Sequence, residues 1–279
     1  MDDDGMSFYT EPEPLRGVAH PIAPGIRRLV ANNPGRMTYW GTNTYLIDAP
    51  DGILVLDPGP DDPAHVIAVL EASNGAVAGI ILSHTHADHL GATAALKAAT
   101  GAPTFGWHAP AAAGFLPDRP LHDHDRVGVW QALHTPGHAS DHLCFAGPDG
   151  VLFSADHVMG WSSSIVPPPD GNMKAYFNSL HCLLERQDRL YLPGHGPVLT
   201  EPHSFTADLL HHRQTREGQI VAALRPMPQT AWSLMEKLYG KIDDRLRRAA
   251  ELNVIAHLEK LVEEGAAHKR GDGWALADA

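Results

Sequence analysis

Cysteine is scarce in this chain: Cys144 and Cys182 are the only two among 279 residues. There is no disulfide framework to read, and with no CxxC pair there is no thiolate zinc cluster. Both are expected to be buried small hydrophobes. No apolar run approaches the roughly 20 residues needed to cross a bilayer, which excludes a membrane-spanning helix. The leading Met1-Asp2-Asp3-Asp4-Gly5 lacks the basic-then-apolar pattern of a secretory signal, and together with the cysteine usage this leads us to expect a cytoplasmic protein. Positive charge is also short, with 21 Lys and Arg against 33 Asp and Glu and a net charge of −12. Residues 225–279 hold equal numbers of basic and acidic side chains, so the whole excess lies in the first 224 residues. That balance disfavours a polyanion as generic partner. No internal repeat is present. Residues 1–14 are expected to form a disordered acidic tail.

Histidine, by contrast, is abundant, with 19 residues. Strands are expected at Ile26–Ala31, Tyr39–Ile47 and Gly52–Leu56, with turns at Asn33-Pro34-Gly35 and Asp48–Gly52. An amphipathic helix follows over Pro63–Ser73, then a buried strand over Val77–Leu82 and a helix over Leu90–Ala99. A second batch of strands is expected at Pro103–Trp107, Val129–His134, Leu143–Ala146 and Val151–Ser154, then a helix over Met173–Arg186 and a strand over Leu190–Leu192. Strands in two batches with interleaved helices suggest two sheets flanked by helices. A long helix, Ser204–Leu224, ends at the breaker Arg225-Pro226-Met227-Pro228. Helices at Thr230–Leu238 and Ile242–Glu263 and a strand–turn–strand through Leu276 then resemble a small winged-helix unit. The expected domains are 15–224, catalytic, and 225–279, winged-helix-like.

Ser83-His84-Thr85-His86-Ala87-Asp88-His89 concentrates the chemistry. It lies between a strand and a helix, where side chains can converge. Imidazole and carboxylate suit Zn, Fe, Mn or Co. His84 and His86 are two apart and point the same way on an extended backbone, whereas Asp88 and His89 fall where the helix begins and turn elsewhere. The spacing therefore suggests two metals side by side. Asp88 could simply cap a helix, but a cap needs no histidines. Further donors stand on three strand-end loops, at His138, Asp156 and His195. A carboxylate at Asp156 could bridge two cations.

These segments resemble the ordered motifs of the metallo-β-lactamase-fold hydrolases: His84-x-His86-x-Asp88-His89, Thr135-Pro136-Gly137-His138, Ser154-Ala155-Asp156 and Pro193-Gly194-His195-Gly196. Leu56-Asp57-Pro58-Gly59 resembles the family's earlier acidic turn. The resemblance implies an α/β (α+β) fold, a four-layer αβ/βα sandwich with a dinuclear site at one edge. It implies His84, His86 and His138 on one metal, Asp88, His89 and His195 on the other, Asp156 bridging, and Asp57 supporting a ligand by a hydrogen bond. Asp156 argues against true β-lactamase activity, and His86 argues against the flavodiiron members. The C-terminal segment, Asn32-Asn33-Pro34 and Gly41–Leu46 resemble the lactamase-beta-2-like branch, some members of which cleave single-stranded RNA.

The expected function is hydrolysis of an ester, thioester, lactone or similar small-molecule bond by a hydroxide held between two divalent metal ions, Zn before Fe or Mn. Asp88 is the expected catalytic group, orienting the nucleophile and shuttling a proton. Asn43 and Tyr176 are candidates for lining the substrate cleft. The alternatives are a single-stranded RNA endonuclease, supported by Arg245, Arg247, Arg248, Lys269 and Arg270 in the tail, and a non-catalytic metal-binding module. A homodimer is compatible with the winged-helix-like tail.

Overall fold

A computed structural model describes residues 6–225, 227–240 and 242–277. The first sheet has seven strands in sequential order: β1 His20–Ala23, β2 Ile26–Val30, β3 Asn43–Ala49, β4 Gly52–Leu56, β5 Val77–Ile81, β6 Thr104–Trp107 and β7 Arg119–Leu121. β1 through β4 run antiparallel to one another, and β4 through β7 pair in parallel. The parallel part is built by crossover helices, α1 Pro63–Ala72, α2 Ala87–Leu90 and α3 Thr93–Thr100. The outer strands β1 and β7 carry Pro21 and Pro120, residues that suit an edge because they donate no ladder bond. The second sheet runs β12-β11-β10-β9-β8, from β8 Arg126–Val127, β9 Trp130–His134, β10 Leu143–Ala146, β11 Val151–Ala155 and β12 Leu190–Pro193. α4 Met173–Leu184 and α5 Pro202–Leu224 cover its outer face.

Period-two alternation sorts side chains into layers. On β3, Tyr45 and Ile47 face the second sheet, where they meet Trp130, Phe145 and Phe153, while Leu46 faces the helices with Val69 and Leu96. Tyr45 and Phe153 meet edge to face at 5.0 Å, an arrangement worth about 1 kcal/mol beyond area burial. The outcome is the expected four-layer sandwich. A separate apolar cluster joins Ile220, Ala223 and Leu224 of α5 to α6 Ala231–Tyr239, α7 Arg247–Glu263 and the hairpin β13 Ala267–Arg270 with β14 Gly273–Leu276. The last turn of α5 thus belongs to the core of the C-terminal unit. Among the described residues, no helix is long and apolar enough to cross a membrane.

Several expectations are corrected. The strand expected from Tyr39 starts at Asn43, because Tyr39 and Gly41 sit at positive φ and a Cβ on Gly41 would meet the Ala31 carbonyl at 2.0 Å. The helix expected over Leu90–Ala99 breaks into α2 and α3, where Gly91 packs against the backbone of Pro60 and Asp61. The expected disordered tail does not hold for residues 6–14: Met6 is buried, Phe8 and Tyr9 pack against the outer core of the second sheet, and Glu11 pairs with Arg28 at 2.8 Å. Residues 1–5 lie outside the described residues. Cys144 is buried as expected, but Cys182 is exposed on α4.

Candidate metal centre

β5 delivers the chain to the edge where the two sheets meet. Ser83 accepts from the Leu143 backbone at 2.6 Å, which ties this strand end to the second sheet. His86 then stands at the N-cap of α2 in extended conformation, and its side chain makes no capping bond. Asp88 and His89 follow inside the short helix. The capping account of this cluster therefore fails, and the histidines are free to face inward.

Three groups of donors converge. His84 Nε2 and His138 Nε2 each lie 3.0 Å from His86 Nδ1. Asp88, His89 and His195 form a second group, and His84, His89 and Asp156 a third. Asp156 lies between the first two: Oδ1 is 3.5 Å from His89 Nε2, and Oδ2 is 3.4 Å from His195 Nε2 and 3.7 Å from His138 Nε2. All seven residues named from the sequence meet in one place.

The opposite ring atoms fix which nitrogen faces the centre. His89 Nδ1 lies 2.9 Å from Asp57 Oδ2, His138 Nδ1 2.7 Å from the Ile165 carbonyl, and His195 Nδ1 3.2 Å from the Gly41 carbonyl. Each donates its Nδ1–H outward and turns Nε2 toward the centre, the usual arrangement for a metal-ligating imidazole. Asp57 does more than orient one ring. It also accepts from the Ser83 N–H at 2.8 Å and the Ser83 hydroxyl at 2.7 Å, so it holds the turn that carries His84.

The donor set fits divalent cations. His89 Nε2 and Asp156 Oδ1 are buried without a hydrogen-bond partner, an unfavourable state unless something else binds them. The two 3.0 Å separations from His86 Nδ1 approach the spacing of roughly 3.3 Å set by tetrahedral Zn–N bonds of about 2.05 Å. Gly194 leaves the room: a Cβ there would sit 2.3 Å from Asp156 Oδ1 and 2.8 Å from His89 Cε1.

Electrostatics divide the centre. Burial drives His84 well below its ordinary range and takes His138 down to about 4, so these two rings offer neutral imidazole. Burial also opposes charge on His89 and His195, but the carboxylates beside them win. Asp156, Asp88 and Asp57 raise His89 well above its range, and Asp156 with Asp88 raises His195 to about 9. Burial is likewise outweighed at both acids, and the two histidines hold Asp88 and Asp156 well below the usual carboxylate range. In the second half, protons stand where cations could.

Other expected residues fall elsewhere. Asn43 does not line the cleft; it is buried, and its Nδ2 donates to the carbonyls of Pro193 and Gly196 at 2.9 Å each. It fastens the loop that carries His195, because a buried amide must satisfy its donors and this loop supplies free carbonyls. Tyr176 is also fully buried, beneath Gly137, and its hydroxyl donates to the His157 carbonyl at 2.8 Å. Asp141 was not singled out from the sequence. It is buried, accepting from the Thr85 hydroxyl and the Ala111 N–H, and it thereby grips the residue between His84 and His86; its place three residues after His138 was the only hint. The cleft above the centre encloses about 140 Å³ and is walled by Met37, Met159, Trp161, Ser162, Ser163 and Ile165.

The chain also matches known proteins over most of its length. Residues 37–119 match the metallo-beta-lactamase superfamily, and residues 230–274 match the beta-lactamase associated winged helix domain. The chain is similar to beta-lactamase-like protein 2 homolog of Drosophila melanogaster, 29% identical over 88% of this chain and 90% of that one. It is similar to an atrochrysone carboxyl ACP thioesterase of Aspergillus chevalieri, 29% identical over 82% of this chain and 78% of that one. A solved relative, TTHA1623 in a di-iron-bound form, is 30% identical with a TM-score of 0.53, covering 62% of this chain and 93% of its own.

Proposed function

Since the chain belongs to the metallo-β-lactamase superfamily of hydrolases and carries the associated winged helix, we propose that it is a dinuclear metal-dependent hydrolase of a small acyl ester or thioester. Residues 15–224 serve as the catalytic part and 225–279 as the C-terminal unit. His84, His86 and His138 would hold one divalent cation and Asp88, His89 and His195 a second, with Asp156 available to either. When bound, such cations acidify water toward neutrality and offset charge on the substrate oxygen. The observation that carries this reading is the position of Asp156, with one oxygen toward His89 and the other toward His138 and His195.

The chain's own residues define the rest. Asp88 is the most exposed carboxylate of the group, with about 30% of its side chain accessible, and it lines the cleft. It is placed to orient the attacking water and pass its proton to the departing thiol or alcohol. Met37, Met159, Trp161 and Ile165 supply apolar walls for an acyl group. A thioester is favoured over other acyl compounds because of the relatives named as thioesterases. Single-stranded RNA is the weaker reading: Arg245, Arg247 and Arg248 in the C-terminal unit are each engaged by a carboxylate, Asp243, Glu236 and Glu251 respectively.

Metal-loaded protein is to be assayed against a panel of acyl thioesters, esters and lactones, in parallel with labelled single-stranded RNA. Turnover of a thioester or ester is expected, with Asp88→Ala abolishing it while part of the metal remains bound. RNA cleavage without acyl hydrolysis overturns the substrate reading, and full activity in Asp88→Ala overturns the role of that carboxylate.

A further inference from the structure

The peptide group joining Ile165 to Val166 lies between the metal centre and the C-terminal unit. Its carbonyl accepts from His138 Nδ1 at 2.7 Å, and its N–H donates to Asn253 Oδ1 at 2.9 Å. Asn253 stands on α7, in the middle of the C-terminal helix. The two ends of a peptide group are conjugated, which is why its C–N bond has partial double-bond character. Donation through the N–H shifts electron density onto the carbonyl oxygen, so successive bonds strengthen one another. A better acceptor at Nδ1–H makes Nε2 of the same ring a better donor to a cation and fixes the ring's rotation.

The surrounding contacts hold this peptide in place. The Ser164 carbonyl accepts from buried Arg213 of α5, and the Ser164 hydroxyl donates to the His157 carbonyl at 3.2 Å. Val166 is fully buried, and Ile165 presents its side chain to the cleft. Among the described residues, Asn253 supplies the one hydrogen bond on this peptide that comes from the C-terminal unit. α7 also ties to the catalytic part through Glu263, which accepts from Asn172 Nδ2 at 2.9 Å and lies 3.8 Å from Lys174; the Asn172 N–H in turn donates to the Gly137 carbonyl at 2.9 Å, on the backbone before His138 and not on its ring.

We propose that Asn253 is a positioning residue for the metal centre, acting on His138 through the Ile165–Val166 peptide, so that the C-terminal unit sets cation affinity. The proposal rests on His84, His86 and His138 being metal ligands. It gives the winged helix a task at the catalytic centre that requires neither nucleic acid nor a second copy of the chain.

The test is titration of metal-free full-length protein with Zn²⁺ against a chromogenic chelator, with the Co²⁺ absorption spectrum as a second readout. Asn253→Ala is expected to weaken one of the two sites about tenfold and to alter the Co²⁺ spectrum, at the low end of what loss of an outer partner costs. Asn253→Asp, which keeps an acceptor at the same place, retains wild-type affinity. Glu263→Ala, which loosens the same interface without touching the peptide, also leaves affinity unchanged. Equal affinity in wild type and Asn253→Ala overturns the proposal, as does an equal loss in Glu263→Ala. Should Asn253→Ala not fold, Asn253→Gln displaces the acceptor by one methylene, and unchanged affinity there overturns it equally. Wild-type protein that binds only trace metal sinks the dinuclear reading itself, a result distinct from either.

Discussion

Asp57 satisfies three donors with two oxygens, the Ser83 N–H, the Ser83 hydroxyl and His89 Nδ1, and it does so from a backbone at φ 52°. Asp57→Ala leaves those donors buried and unpaired and lets the His89 ring rotate. We expect metal affinity to fall 10- to 100-fold, measured by chelator competition; the same variant should be destabilised by a few kcal/mol. His65 tests the same turn from its other side. Its Nε2 lies 2.8 Å from the Thr44 hydroxyl, which donates to the Asp57 carbonyl at 2.7 Å. Burial takes His65 down to about 4 from an ordinary value of 6.5. The unfolded chain therefore takes up the proton first. The stability this neutral ring contributes is fully present above pH 6.5 and is lost as pH falls from there to about 4, on the order of 3 kcal/mol in all. Urea melts of metal-free protein at pH 7 and pH 4.5 should show His65→Asn losing less stability between the two than wild type; equal losses would contradict this account.

Strand ends and the short helix α2 deliver the candidate ligands, and the glycines among them set how close the deliveries come. Gly194 follows β12, and its missing side chain leaves the space that Asp156 and His89 occupy. Gly194→Ala should spread those two apart, with an expected loss of bound metal to one equivalent or less while the far-ultraviolet circular dichroism stays unchanged. Retention of two equivalents would show that the loop yields instead. At this scale much was legible in the sequence. His84, His86, Asp88 and His89 announce themselves by chemistry and spacing, and the apolar runs before His84, Asp156 and His195 read as strands. Where side chains point was less legible. Asn43 and Tyr176 are expected to line the cleft, yet packing turns one onto the Pro193 and Gly196 carbonyls and the other into the outer core. β1, β7 and β8 escaped because two- to four-residue edge strands carry too few residues to show a period. Composition also misread residues 6–14, since local polarity holds no information about the groove that receives Met6, Phe8 and Tyr9.

Across the whole molecule, α5 is shared. Phe205 and Leu209 pack in the catalytic part, while Ile220 and Leu224 are buried against the C-terminal unit, where Glu217 also meets His257 at 3.0 Å and Lys260 at 2.7 Å. A chain cut after Leu224 therefore loses more than an appendage. Uncovering Ile220 and Leu224 alone forfeits about 4 kcal/mol of burial, and the exposed stripe invites association. We expect the truncated protein to elute as larger species on gel filtration and to unfold at lower temperature. Replacing Ile220 and Leu224 with Glu should restore a monodisperse truncated protein. If Asn253 acts on His138 through the intervening peptide, that soluble fragment still binds its weaker cation about tenfold less tightly than full-length protein, a penalty in the range expected for a lost outer partner. Full-length protein bearing Asn253→Ala should then match the fragment in affinity. A fragment with wild-type affinity would confine the C-terminal unit to covering α5 and leave the metal centre to the catalytic part alone.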